Sequence, residues 1–364
     1  MNSSNPDEQD GRVNCNARVA TVGERWPVEE LESVSLCPAC GLHGRTEAHS
    51  DLVDRVFRCA PGRWTMYECV HCKSGYLDPR PDSESIGRAY ETYYTHRGAS
   101  DGRLRGRLRR FLRSLSNGYL NARFGVSREP ACRIGALGAF FAPGRRGKLE
   151  IIGRHLPRPG AGDRLLDVGC GSGEFLAFAY AAGWRAEGVD PDRKAVEVCR
   201  AANLEVAHGD LDTVAERGPV YSVITMSHVI EHVHEPRTVL QHCLQLLRPG
   251  GVLWLETPNM GAQGRRKYGD DWRGLEPPRH LTIFSREALV AMLKDVGFVN
   301  VTDALYRPLC RDLFAKSRAI ARGADPYVTP LPEVPLSELA KAELRARINP
   351  AVREFITLLA YKPI

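Results

Sequence analysis

His228, Glu231 and His232 stand together in "SHVIEH" (227–232), in the order H-x-x-E-H. Two imidazoles and a carboxylate this close can ligate a divalent metal or move protons. On a long helix the same order would mark an inverted zinc protease. A second constellation lies upstream. "CPAC" supplies Cys37 and Cys40, and "CVHC" supplies Cys69 and Cys72. Two C-x2-C knuckles offer four thiolates, the donor set of a tetrahedral structural zinc. Residues 41–68 separate the pairs, a long gap that a hairpin can fill, with His43, Cys59 and His71 as substitute ligands. A single C-x-x-C can instead be a redox dithiol, but two copies in one small domain favour metal. A centre closed by four thiolates has no open position, so no catalysis is assigned to it.

The third constellation is a glycine turn. "LLDVGCGSGEF" places Asp167 at a strand end, then Gly169, Cys170, Gly171 and Gly173. Glycines let the backbone turn tightly and approach a ligand closely. An acid before the first glycine disfavours a pyrophosphate and suits a ligand with a positive end, such as an amino acid. Asp190, followed by Pro191, ends the next strand, where a carboxylate can hold both hydroxyls of a ribose. Asp210, followed by Leu211, ends a third strand, where an adenine ring would lie.

The elements that must position these residues read as follows. Residues 1–30 are a polar, disordered lead-in, 31–80 a small metal-held module, and 81–156 a helical connector. Within the connector, "GRLRGRLRRFLRSL" carries six arginines, Arg103, Arg105, Arg107, Arg109, Arg110 and Arg113. Leu104, Leu108, Phe111, Leu112 and Leu115 share one helical face. The default for such a helix is an apolar stripe docked on the core with the charges solvated; a phosphorylated acceptor comes second. From 157 to 310 strands and helices alternate with short links, which predicts an α/β, doubly wound, mostly parallel sheet. Residues 311–364 read as a proline-rich linker and helices. "SHVIEH" then falls at the end of a strand, at the carboxyl edge where such sheets bind ligands. The protease reading loses its helix there.

The hydrophobic fraction of 43% fits a globular chain, and the formal charge of +6 does not by itself imply nucleic acid. No apolar run approaches the roughly 20 residues of a membrane span. The polar start and eleven cysteines suggest a cytoplasmic protein with thiols or metal ligands rather than disulfides.

"LLDVGCGSG", "GVDPD", "HGDLD", "SHVIEHVHEP" and "LLRPGGVLWLETPN" together resemble the class I S-adenosylmethionine-dependent methyltransferases, over about 163–305. The resemblance implies a Rossmann-like sheet of seven strands, the last antiparallel. It implies that Gly169 to Gly173 wrap the methionine part of S-adenosylmethionine, that Asp190 takes the ribose and Asp210 with Leu211 the adenine. Met226 and Ser227 would border the cofactor. Small-RNA and ubiquinone-precursor O-methyltransferases of this family have a related E-x-x-E-H segment, associated with a divalent metal that polarises the acceptor hydroxyl. Here His228 replaces the first acid, and His280 in "EPPRHLTIF" completes a set of His228, Glu231, His232 and His280. Imidazoles favour Zn, Fe or Ni over Mg. His232 or His280 acting as a metal-free general base is the competing chemistry, and the preferred one.

The cysteine module ahead of such a domain resembles a branch acting on sugars, glycans and natural products. That implies a small-molecule or sugar acceptor, with Tyr90, Tyr93, Tyr94 and His96 on the acceptor side; helix packing is the plainer role for the tyrosines. Residues 259–284 are too long for a simple turn, and Tyr268, Trp272, Arg273 and His280 within them could cover the acceptor. Two other classes stay open: an RNA methyltransferase, although no RRM- or KH-like signature is present, and a non-catalytic cofactor-binding partner of another enzyme.

Overall fold

A computed structural model describes residues 25–90, 106–135, 143–218, 220–328 and 330–364. The acceptor-side candidates Tyr93, Tyr94 and His96 lie outside the described residues, as do Leu104 and most of the polar lead-in.

The amino-terminal module is built on strands β1 (Leu31–Glu32), β2 (Arg45–Leu52), β3 (Trp64–Cys69), β4 (Gly75–Leu77) and β5 (Arg80–Pro81). Strands β2 and β3 form the antiparallel hairpin that spans the gap between the cysteine pairs. Helix α1 (Gly106–Phe124) and helix α2 (Pro143–Glu150) follow. The apolar stripe of α1 docks only in its second half. Tyr119, Leu120 and Phe124 are buried there against Leu149 and Phe178, whereas Leu108 and Phe111 are exposed.

Then comes the alternating unit: β6 (Arg164–Val168), α3 (Glu174–Ala181), β7 (Arg185–Asp190), α4 (Arg193–Ala201), β8 (Val206–His208), α5 (Asp212–Ala215), β9 (Tyr221–Ser227), α6 (Pro236–Leu246) and β10 (Leu247–Pro258). Strands buried on both faces must be apolar at successive positions, as "LLDV" and "SVITM" are. Leu165 and Val223 face one way, packing with Leu176, Val196 and Trp254. Leu166 and Ile224 face the other, packing with Leu240, Leu289 and Leu293. This is the alternation a pleated strand imposes. Local signals set the helix ends. Asp192 caps α4 by accepting from the Lys194 amide at 2.9 Å, and a Pro at the first helical turn starts α6.

After β10 the chain forms α7 (Gln263–Tyr268), β11 (Thr282–Ile283), α8 (Arg286–Val296), β12 (Val299–Asp303), α9 (Cys310–Ala321), α10 (Leu336–Ile348) and β13 (Phe355–Tyr361). The main sheet has seven strands in the order β12-β13-β10-β9-β6-β7-β8. Neighbours from β10 through β8 are parallel, and β13 runs antiparallel to both β10 and β12. The tail thus departs from its reading as linker and helices, because β13 sits inside the sheet with Ile356, Leu358 and Ala360 buried.

The second sheet has the order β11-β4-β3-β2. Its outer strand β11 comes from the segment after β10, so the two sheets share one connection. Thr282 pairs with Tyr76 and Ile283 with Gly75. The segment 259–284 is therefore no loose lid. Trp272, Leu275, Arg279, Leu281 and Phe284 are all buried within it.

Inclusion of β13 in the core predicts a specific loss. Leu358→Ala should lower the unfolding free energy by about 2–5 kcal/mol, whereas Leu344→Ala, at an exposed position of α10, should change it by less than about 0.5 kcal/mol. Chemical denaturation of the two variants checks this.

Candidate functional site

A cavity of about 670 Å³ opens at the carboxyl ends of β6, β9 and β10. One wall is the glycine turn, Gly169 to Ser172, with Glu174 and Phe175 of α3. Gly169, Gly171 and Gly173 all have positive φ, 66°, 52° and 77°. A Cβ at Gly169 would stand 2.4 Å from Val229, and one at Gly173 would stand 2.4 Å from Leu204. The turn therefore needs glycine for both conformation and space.

Asp190 sits behind this turn. Its carboxylate accepts from the Gly171 amide at 2.7 Å and the Asp192 amide at 2.9 Å. Burial raises its pKa. Pro191 follows it, and the Pro191 carbonyl is 3.1 Å from His208 Nε2. Asp210 accepts from the Asp212 amide at 3.0 Å, and Leu211 is buried. Met226 is buried in the core at the end of β9, while Ser227 and Cys170 line the cavity.

Asp167 corrects the reading of an acid awaiting a positive ligand. It is fully buried, forms an ion pair with Arg154 and accepts from Thr225 Oγ1 at 2.9 Å. Burial raises its pKa against the pull of Arg154. The cavity is lined by Arg154 instead, whose guanidinium lies 3.7 Å from the centre of the Phe175 ring. Arg154 precedes the first strand in an irregular turn, where no motif marks it.

The opposite wall carries the histidines. Residues 230–232 form a single 3-10 turn after β9, so "SHVIEH" is not on a long helix. One nitrogen each of His232 and His280 and one carboxylate oxygen of Glu231 lie within 4.8 Å of one another. The ring protons can be placed. His232 Nδ1 is 2.9 Å from the Arg279 carbonyl, and His280 Nδ1 is 2.8 Å from the Gly274 carbonyl. A carbonyl only accepts, so both Nδ1 atoms carry a hydrogen. The Tyr90 hydroxyl also lies 2.9 Å from His232 Nδ1. Burial pushes His280 down to about 4, so its imidazole is neutral at neutral pH.

His228 differs. Burial would lower its pKa, but hydrogen bonds to Glu231 and Glu256 outweigh burial and hold it at about 9. Its Nδ1 is 3.2 Å from Glu231 and its Nε2 is 3.6 Å from Glu256. An imidazolium between two buried carboxylates has no lone pair to offer, which removes His228 from the four-residue ligand set. Glu256 also accepts from Arg307 at 2.5 Å and from Thr357 Oγ1 at 2.6 Å. Burial opposes its ionisation, yet Arg307 and His228 bring its pKa down to about 2.

Of the acceptor candidates in 259–284, Arg273 and His280 line the cavity, together with Glu276. Tyr268 and Trp272 do not. The Trp272 ring is buried, and its Nε1–H donates to Glu354 at 3.0 Å. Tyr268 packs on Phe314 and donates to Glu338 at 3.1 Å. Glu256 and Pro258 line it from the end of "VLWLETPN", and other lining comes from places without a motif, among them Arg128 and Phe178, Arg307 and Leu309 before α9, Asp312, Leu313 and Lys316 on α9, and Phe355 on β13.

In the amino-terminal module the four sulfurs of Cys37, Cys40, Cys69 and Cys72 lie within 4.8 Å of one another. Cys37 and Cys72 are 3.6 Å apart, as are Cys40 and Cys69. Four thiolates at about 2.3 Å from a tetrahedral zinc would be about 3.8 Å apart, so the set fits that ion. Cys59 is elsewhere, with its sulfur 3.5 Å from Asp54.

Residues 141–303 match the family model described as a methyltransferase domain. Among curated proteins, the chain is 34% identical over 105 residues to a ubiquinone biosynthesis O-methyltransferase of Vibrio cholerae, covering 27% of this chain and 43% of the relative. It is 32% identical over 125 residues to the protein of the same name from Chromobacterium violaceum, covering 32% and 52%. The chain spans about half the length of the curated relatives it matches. Among solved structures, a SAM-dependent methyltransferase from Archaeoglobus fulgidus aligns with 62% of this chain and 98% of its own at 19% identity, with a TM-score of 0.43.

The raised pKa of His228 has a defined sign. Its contribution to stability is fully present below pH 6.5 and is lost as the pH rises through 9. His228→Gln should therefore destabilise the chain more at pH 6 than at pH 10, as read from denaturation midpoints. His280 behaves oppositely: the folded state resists its protonation, so its effect is a loss of stability as the pH falls from 6.5 towards 4.

Proposed function

We propose that this chain, whose residues 141–303 match a methyltransferase domain, is an S-adenosylmethionine-dependent methyltransferase. Its acceptor is a small molecule or sugar of a biosynthetic pathway, methylated on oxygen. The observation that carries this reading is the cavity itself: a glycine turn with Asp190 behind it on one wall, and two imidazoles beside a carboxylate on the other. The names of the ubiquinone biosynthesis O-methyltransferases support oxygen as the atom methylated.

When bound, S-adenosylmethionine supplies a methyl group on a sulfonium that departs as a neutral thioether. The Gly169–Gly173 turn would hold its amino-acid part, and Arg154, which lines the cavity beside the turn, would meet its carboxylate. Asp190 would take the ribose hydroxyls, with Pro191, Asp210 and Leu211 beyond it at the adenine. The acceptor oxygen must lie in line with the sulfur–methyl bond, and positioning of that kind is the largest part such a site contributes. The acceptor's proton passes to Nε2 of His232 or His280. The backbone carbonyls at Nδ1 orient both rings for that transfer. Arg273, Glu276, Arg307 and Lys316 would then surround the rest of the acceptor.

Glu231, His232 and His280 would also fit a divalent metal that polarises the acceptor hydroxyl. Metal-bound histidines characteristically give their other ring N–H to a carbonyl, as both do here. Cys37, Cys40, Cys69 and Cys72 would hold a structural zinc.

The test is transfer of a labelled methyl group from S-adenosylmethionine into small-molecule, lipid-linked glycan and RNA fractions of a host extract, with Asp190→Ala as the blank. The reading expects label in a small-molecule or glycan fraction that vanishes with the blank. Label only in RNA would overturn the acceptor class. No label despite cofactor binding would leave a non-catalytic binding protein. Metal analysis of the purified chain should find one zinc, lost in Cys69→Ser.

A further inference from the structure

Arg279 immediately precedes His280 and is completely buried. Its Nη2 donates to Asp54 Oδ1 at 2.7 Å and its Nη1 to Asp54 Oδ2 at 3.0 Å, a two-pronged pair. Asp54 belongs to the hairpin of the cysteine module and is equally buried. It is itself fixed by the amides of Phe57, Cys59 and Ala60 at 3.0, 3.0 and 3.3 Å. Nη1 of Arg279 donates further to the Ala89 carbonyl at 3.3 Å. The backbone of the same residue supports the cavity wall, since its carbonyl accepts from His232 Nδ1, and His232 lines the cavity. Two residues on, the Leu281 amide donates to the Glu231 carbonyl at 2.8 Å, and the Leu281 carbonyl accepts from the Leu77 amide of β4 at 3.0 Å.

One short stretch therefore touches all three members of the histidine–carboxylate cluster. Arg279 orients His232, His280 is the next residue, and Leu281 fixes the backbone of Glu231. Its side-chain anchor lies in the other sheet. We propose that the Asp54–Arg279 pair is a positioning device, through which the cysteine module sets the ring orientation and proton placement of His232 and His280. The inference rests on the reading of those two residues as the reaction's proton acceptors or metal ligands. Asp54 touches neither substrate nor cofactor in that scheme. It acts only through Arg279. Glu276 Oε2 lies 3.7 Å from Arg279 Nε, but only Asp54 engages the guanidinium fork through two short hydrogen bonds, and loss of one partner of a buried pair is costly.

The test uses the full chain with Asp54→Asn, which keeps the shape and removes the charge, and Arg279→Lys, which keeps the charge and removes the fork. Imidazole ¹⁵N spectra report ring protonation without requiring activity. In the parent chain His232 and His280 should both show the Nδ1–H form. In folded Asp54→Asn that form should give way to mixed tautomers, and labelled methyl transfer should fall at least tenfold in kcat with S-adenosylhomocysteine affinity changed less than threefold. If Asp54→Asn does not fold, Arg279→Lys is read the same way. A folded variant with unchanged imidazole spectra and unchanged kcat overturns the proposal. A parent chain that shows the Nδ1–H forms and their loss on substitution, yet transfers no methyl group, keeps the positioning device and removes the transferase reading instead.

Discussion

Two residues of β-strand, Thr282 and Ile283, tie the segment that leaves the main sheet after β10 to the edge of the second sheet. They close the edge of the cysteine module by pairing with Tyr76 and Gly75. They also end the segment that begins at the carboxyl edge of β10, where the cavity opens. Edge strands present unpaired amides and carbonyls that must be covered, and here the covering strand is lent by the larger unit. The buried Arg279–Asp54 pair and the hydrogen bonds of Ser285 to the Cys72 carbonyl and the Ser74 hydroxyl hold the loan in place. The anchored segment places His280 on the cavity wall, and its Arg279 carbonyl holds the ring of His232, which comes from the end of β9.

The electrostatics of the cavity are arranged in opposed pairs. His228 is kept charged by two carboxylates, while His280 is kept neutral by burial. Glu256 holds both His228 and Arg307, and Glu276 forms an ion pair with Arg273. Each cation on the acceptor side is tied to an acid, so the wall is rigid and close to neutral. An acceptor would meet fixed dipoles and two imidazoles rather than a field of free charge, the kind of preorganisation that favours charge movement without rearrangement.

Much of this could be read before any coordinates. The runs "RLLDV" and "YSVITMS" are apolar on both faces and flanked by glycine or polar turns, which leaves few options but central parallel strands. The glycine spacing identified the cavity's first wall, while the three strand-end acids are not among the residues that line it. The cysteine spacing identified the cluster. What escaped was decided by distant partners. β13, "FITLLAY", alternates buried and half-buried positions as a strand should, yet its place between β10 and β12 depends on chain more than ninety residues away. Trp272 and Tyr268 looked ligand-facing because they are aromatic residues in a long connection, but Glu354 and Glu338, far along the chain, take their polar groups. Asp167 looked ready for a ligand because nothing local revealed that Arg154 reaches it. Leu108 and Phe111 fit the docked stripe of α1 by spacing alone, and spacing cannot show where the core ends.

The central claim is that the cysteine module, the histidine segment and the main sheet are one cooperative unit. Native-state hydrogen exchange tests it directly, by comparing the amides of Leu77 and Leu281 with that of Ile224 in the middle of the main sheet. The account predicts that all three exchange only through global unfolding, with the same free energy and the same dependence on denaturant. Exchange of Leu77 and Leu281 through a separate, lower-energy opening, with Ile224 still protected, would contradict it.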